Sequence, residues 1–278
     1  MMDILAVMRQ RTSVRSYADR PVDLTLLERL LAFSTAAEHL TEVPPRVALV
    51  SGVERTRRLL TYMVGSYGLV QNPPHLLVGV LPKESDLARL DLGYVLEQVV
   101  LEATRLELST CWITGSYDAE QAGDAVGLAP GEVAAAVCAL GYPTDSSLGR
   151  IHTRVVRRLA GGHQRKPLTE IVFAGRWGEP WSPDEADSTL VDALEHARLA
   201  PSASNRQPWR FIVLVRPDDV VLALARPKPI DAGIVMAHLA LASAVLERAG
   251  RWKVRWGDVT LARECGLPDD VIPVATFS

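Results

Sequence analysis

The chain has 278 residues, a formal net charge of −3, a pI near 6.1, 48% hydrophobic residues and a mean hydropathy of +0.09. That length can bury the core of one large domain or two small ones, and the mild acidity gives no electrostatic basis for nucleic-acid binding. No apolar run approaches the roughly 20 residues that span a bilayer, the isolated Cys111, Cys138 and Cys265 read as reduced core thiols, and the histidines lack the spacing of a metal site.

In chain order, residues 1–15 hold a short apolar patch broken by Asp3 and Arg9, too poor for a secretory signal, so cytoplasm is the expected compartment. Arg11-Thr12-Ser13-Val14-Arg15 follows; on the end of a helix the four-residue spacing puts both arginines on one face. Residues 26–31 predict an amphipathic helix leading through a loop to a buried strand at 45–50. Asp91 is placed to cap an apolar helix over 94–105. Then come Ser109-Thr110-Cys111-Trp112-Ile113-Thr114-Gly115-Ser116-Tyr117-Asp118, Ala139-Leu140-Gly141-Tyr142-Pro143 and the basic Gln164-Arg165-Lys166-Pro167. Residues 190–195 predict a second amphipathic helix, followed by Pro201-Ser202-Ala203-Ser204-Asn205 and a strand at 209–215. Asp231 is placed to cap a helix over 234–248, and 272–277 reads as a final strand.

The helix-loop-strand pattern thus occurs twice, and Leu90-Asp91-Leu92-Gly93 echoes Ile230-Asp231-Ala232-Gly233. The halves are unequal. Opposite Pro201 to Asn205 the first half has Ser34-Thr35-Ala36-Ala37-Glu38-His39, and opposite Arg11 to Arg15 the second has Ala174-Gly175-Arg176-Trp177. The second half also reads as lacking a T-C-W-x-x-G-G-like turn before its final strand.

Taken in this order, the strings resemble signatures of the nitroreductase family. Its homodimers build each flavin mononucleotide (FMN) site from an R-x-S-x-R/K segment of one subunit and a P-S-S-x-N segment of the other. A subset often called TM1586-like fuses both halves in one chain, and this chain is most similar to that subset. The resemblance implies an α+β fold of two mixed β-sheets flanked by helices, an intrachain pseudo-dimer with a first half at 1–167 and a shorter second half at 168–278. Residues 168–174 would be the crossing between halves. One FMN per chain and a monomer are then expected.

The same resemblance assigns Arg11, Thr12, Ser13, Arg15, Gly115, Ser116, His163 and Arg165 of the first half, with Pro201, Ser202, Ala203 and Asn205 of the second, to FMN binding. The residue types suit such a ligand, with guanidinium forks for a phosphate, hydroxyls and an amide for a ribityl chain, and a small residue where a backbone N–H approaches the ring. The implied reaction is ping-pong, with NADH or NADPH delivering hydride to flavin N5 and a small electron acceptor, such as a nitroaromatic or quinone, removing electrons. No catalytic side chain and no metal are required, because the cofactor carries the chemistry. Loops at 62–71 and 226–229 are expected to choose the acceptor. Tyr117 reads equally as a substrate-flanking or a surface residue, and Trp112 and Trp209 as core or interface aromatics. A noncatalytic flavin carrier or sensor, and a cofactor-free pseudoenzyme scaffold, are the competing readings; neither nucleic acid nor membrane is an expected partner.

Overall fold

The computed structural model describes residues 3–60, 70–159, 164–214, 219–248 and 250–278. Its first elements are α1 (Ile4–Gln10), α2 (Leu24–Ala36), β1 (Arg46–Ser51), α3 (Val53–Leu59), β2 (His75–Leu81), α4 (Asp86–Arg105), β3 (Ser109–Ile113), α5 (Ala119–Val126), β4 (Val133–Gly141) and α6 (Ser147–Leu159). They are followed by α7 (Leu168–Ile171), β5 (Val172–Ala174), α8 (Ser188–Ala197), β6 (Trp209–Val213), β7 (Val220–Leu224), α9 (Pro229–Val245), β8 (Trp252–Val254), α10 (Val259–Glu264) and β9 (Ile272–Phe277). Among the described residues, no helix is long and apolar enough to cross a membrane.

The central strands are continuous apolar runs, the pattern of strands covered on both faces. β2 (His-Leu-Leu-Val-Gly-Val-Leu) and β7 (Val-Val-Leu-Ala-Leu) are buried throughout. The first sheet has the order β1-β2-β4-β3 and the second β5-β6-β7-β9-β8. Strands of the first pair antiparallel, and a parallel bridge from Ser13 to Thr110 makes that sheet mixed. In the second, β5 runs parallel to β6 and the others are antiparallel. The fold is α+β, with two mixed sheets flanked by helices.

With β5 set aside, the two sheets share one order, β1-β2-β4-β3 matching β6-β7-β9-β8, and α2, α4 and α5 fall where α8, α9 and α10 do. A register shift recurs at matching places, Gly79/Val80 of β2 against β4 and Leu222/Ala223 of β7 against β9. β5 follows directly on α7 and adds to the edge of β6, so the chain leaving the first sheet is stitched onto the second.

Helices α4 and α9 form the seam. A Cβ on Gly233 would lie 1.9 Å from the Leu90 carbonyl oxygen, and one on Gly93 2.2 Å from that of Ile230. The backbones therefore touch where only glycine fits. One core cluster runs across the seam, from Val7 to Phe277. Inside it, the fully buried His238 and Glu97 meet at 2.9 Å (Nε2 to Oε1). Glu97 Oε2 accepts from Trp112 Nε1 at 2.7 Å, and His238 Nδ1 lies 3.2 Å from the His196 carbonyl. A carbonyl only accepts, so Nδ1 bears a proton, and the Nε2 to Oε1 contact holds one more, on His238 or on Glu97.

Neither predicted aspartate cap operates as the sequence suggests. α4 starts earlier, at Asp86, with Ser85 as its cap accepting from Ala88 N. Asp91 lies inside the helix, fully buried, and accepts from Leu40 N at 2.7 Å and Thr41 N at 3.1 Å. α9 likewise starts at Pro229, and Asp231 accepts from Ala203 N at 3.1 Å. Each carboxylate satisfies backbone donors in the loop after α2 or α8, groups that burial would otherwise leave unpaired.

Candidate functional site

Helix α1 ends at Gln10, and Arg11 is its C-cap with φ −54° and ψ 124°. The arginines are thus not gathered by helical spacing. The following segment is extended along β3, with the Ser13 to Thr110 bridge and Val14 N donating to Thr110 O at 3.0 Å. Alternation in such a segment puts residues 11, 13 and 15 on one side, while Val14 packs on the core of the first sheet. Both guanidinium charges act on Cys111 of β3, whose thiol burial pushes up and Arg15 and Arg11 pull down. Gln71 N donates to Arg15 O at 2.7 Å and so fixes the segment from its other side.

At the far end of β3 come Thr114, Gly115 and Ser116, and then Asp118, which caps α5 by accepting from Gln121 N at 3.0 Å. Gly115 has no left-handed backbone, and a Cβ there would meet nothing within 4 Å. Neither conformation nor packing within the protein demands glycine at this position; it leaves an accessible stretch of backbone. Tyr117 does not flank open space: its hydroxyl donates to Ala134 O at 3.0 Å, and burial pushes its phenol up to about 12. Trp112 packs against the core, with its indole held by Glu97, and Trp209 is fully buried.

The 201–205 turn is the most strained stretch described. Ser204, Asn205 and Gln207 have φ of 52°, 53° and 47°, left-handed values that cost non-glycine residues free energy and gather at functional sites. Hydrogen bonds hold it: Gln207 N donates to Ser202 Oγ and Asn205 N to Ser202 O, both at 2.9 Å. Arg165 donates to the Asn205 side-chain oxygen and to Leu199 O, and Asn205 Nδ2 donates to Gln164 O at 2.8 Å. Lys166 N donates to Gln207 Oε1 at 2.9 Å. The basic tail and the Ser-Asn turn, far apart in sequence, are thereby one unit.

A cleft of about 290 Å³ joins the halves. Thr114 from the end of β3 and Ala203 from the turn face it together with residues 227–231, Asp86 and Arg89. Asp231 lines it too, its carboxyl pushed up to about 6 by burial against the pull of Lys228 and Arg206. The structure thus places Arg11, Ser13 and Arg15 at the Thr110 end of β3, Gly115 and Ser116 past its other end, Ala203 across the cleft, and Arg165 on Asn205. His163 and residues 62–69 lie outside the described residues; the 226–229 loop does reach the cleft. The sequence does not mark Arg89, and it carries Thr114 and Lys228 only as members of the 109–118 string and the 226–229 loop. It marks Asp231 only as a helix cap, although an acid in the first turn of so apolar a helix was a signal.

A family model described as "Putative TM nitroreductase" matches residues 3–243. The chain belongs to this family. The solved structure of TM1586 from Thermotoga maritima is 18% identical, covers 98% of this chain and 93% of that one, and gives a TM-score of 0.61, sharing the nitroreductase fold. A nitroreductase family protein from Clostridium novyi is 19% identical over 65% of this chain and 97% of that one, TM-score 0.46. A nitroreductase with bound FMN from Bacteroides fragilis is 19% identical over 53% and 91%, TM-score 0.45. No curated protein matches the chain.

In this chain the second half does hold a topological counterpart of the T-C-W turn, against the sequence expectation. β8 occupies the place of β3, and Asp258 caps α10 as Asp118 caps α5. Trp252, Arg255 and Asp258 repeat the spacing of Trp112, Gly115 and Asp118. The counterpart was unreadable because almost every residue between has changed. Where Gly115 leaves open backbone, Arg255 extends a side chain and pairs with Asp258 at 2.6 Å.

Proposed function

We propose that the chain is an FMN-dependent oxidoreductase that takes electrons from NADH or NADPH and passes them, in ping-pong fashion, to a small acceptor such as a nitroaromatic or quinone. The observation that carries this reading is the meeting of Thr114 and Ala203, from opposite halves, on one cleft beside the open backbone of Gly115. The residues suit the cofactor. Ser13, level with Thr110, sits about 13 Å from Thr114 along β3 at the strand's rise per residue, with Arg11 and Arg15 on either side of it, so the cations lie toward one end and open backbone at the other. Bound there, FMN would supply the hydride and electron chemistry at ring N5, so no side chain serves as an obligatory base.

The chain's own part is binding and exclusion. Arg11 and Arg15 would hold the phosphate and the electron-rich end of the ring, with Thr12, Ser13, Ser202 and Asn205 toward the ribityl chain. Arg165 has donors already committed to Asn205 and Leu199, so it would act through its charge and through the turn it holds. Pro201 and Ala203 would border the ring, Gly115 and Ser116 would offer backbone N–H groups to it, and residues 227–229 would close the cleft to water. With Arg255 over the counterpart position, one site per chain follows.

The test is the absorbance spectrum and FMN titration of the purified protein. One FMN per chain is expected, bleached by NADH or NADPH without oxygen and recoloured by a quinone. Charge-assisted hydrogen bonds are worth roughly 1.5–3 kcal/mol each, so Arg15→Ala should weaken FMN about tenfold to a hundredfold, and Arg165→Ala, which removes a charge and releases the Asn205 turn, should weaken it as well. Gly115→Leu should fold normally yet lose FMN. Binding without bleaching would mean a carrier or sensor, and no binding a scaffold.

A further inference from the structure

On the other side of the 201–207 turn lies a groove of about 460 Å³ walled by Lys166, Arg206, Arg210 and Arg226 around the Gln207-Pro208 backbone. Four cations converge there in a chain whose net charge is −3. Lys166 is paired with Glu170, whose charge also acts on Arg210; among the described residues no carboxylate forms an ion pair with Arg206, Arg210 or Arg226. Arg210 is half-buried, and its Nη1 is pinned by the carbonyls of Gln207 at 3.2 Å and Trp209 at 2.7 Å. That leaves Nε and Nη2, in a fixed fork, for a ligand. Solvated basic faces are usually built of long, mobile side chains on an exposed surface; a pinned and partly desolvated guanidinium between like charges is costly unless an anion completes it.

The groove and the cleft are lined by neighbouring residues of the same two segments. Ala203 faces the cleft and Arg206 the groove; Arg226 faces the groove and Pro227 and Lys228 the cleft. Asp231, on the cleft, feels both Lys228 and Arg206. A ligand with its reacting end in the cleft therefore meets the arginines with its far end. We propose that this groove anchors the phosphates of the dinucleotide electron donor and that its three guanidinium groups favour NADPH, whose extra phosphomonoester adds charge, over NADH. This rests on the oxidoreductase reading above.

Calorimetry with adenosine 2′,5′-bisphosphate, which carries the phosphates without the nicotinamide, needs no flavin and tests the groove directly. Saturation at one per chain is expected, weakened at least tenfold in Arg206→Ala/Arg226→Ala and in the milder Arg206→Gln/Arg226→Gln, with FMN content unchanged. The KM for NADPH should rise at least tenfold in both variants while that for NADH moves little. No binding by the wild type, or equal affinity in the variants, would overturn the proposal. If the bisphosphate and inorganic pyrophosphate bind but KM for NADPH stays fixed, the groove holds a phosphorylated acceptor and the donor assignment is wrong. Failure to bind FMN would overturn the oxidoreductase reading and leave the calorimetric result standing.

Discussion

Asp231 is bonded through one oxygen only; Oδ1 accepts from Ala203 N, and Oδ2 is buried without a hydrogen-bond partner. Its carboxyl is raised from 3.8 to about 6, so between those pH values the folded state keeps a proton that the unfolded chain has released. The stability it lends is complete below about pH 4 and is lost as pH rises through about 6, an effect on the order of 2–3 kcal/mol. Asp231→Asn should gain on the wild type from pH 4 to pH 7 in urea midpoints; parallel pH profiles would refute this. Glu97 offers a second contrast. In Glu97→Gln the amide can donate to His238 Nε2 while its oxygen accepts from Trp112, so stability should stay within about 1 kcal/mol. Glu97→Ala, which strands a buried imidazole and indole N–H, should cost about 3–5 kcal/mol.

At the scale of elements, the α4–α9 crossing and the end of β3 use glycine for opposite reasons. Gly233→Ala would drive a Cβ to 1.9 Å from the Leu90 carbonyl, and a backbone cannot yield as a side chain does. The loss should exceed the about 1–3 kcal/mol of ordinary overpacking, read as a lower thermal midpoint. Gly115→Ala, with nothing within 4 Å, should leave that midpoint unchanged within a degree or two. Both glycines stand in strings that the sequence marks, but the sequence does not say which is packed and which is open. Helix α4 shows the same limit: its apolar character is plain from residue 94 onward, while its true start at Asp86 depends on the Ser85 cap, a local signal outweighed in reading by the more conspicuous Asp91.

At the scale of the whole molecule, one core runs through both halves, so residues 1–167 expressed alone should not give a cooperative unfolding transition by calorimetry. We propose that the α4–α9 seam takes the place of a subunit interface, so light scattering should report about one chain mass, 30.3 kDa; a stable dimer would refute that reading. The duplication itself was legible because the two Asp-x-Gly strings and the helix-loop-strand pattern survive at matching places. Its asymmetry was only half legible: the missing R-x-S-x-R and P-S-S-x-N strings could be read, and the hidden β8 turn could not.

By itself the sequence determined the fold class and marked the helix-loop-strand pattern that recurs before β1 and β6, because apolar periodicity and glycine placement act over a few residues. Tertiary structure decided the rest. Which donor each buried aspartate satisfies, that Arg165 ties down Asn205, that Arg255 stands where Gly115 leaves space, and that Lys166, Arg206, Arg210 and Arg226 share one groove all depend on segments brought together from far along the chain. A polar group's partner is set by what burial places within hydrogen-bond reach, and no local pattern records it.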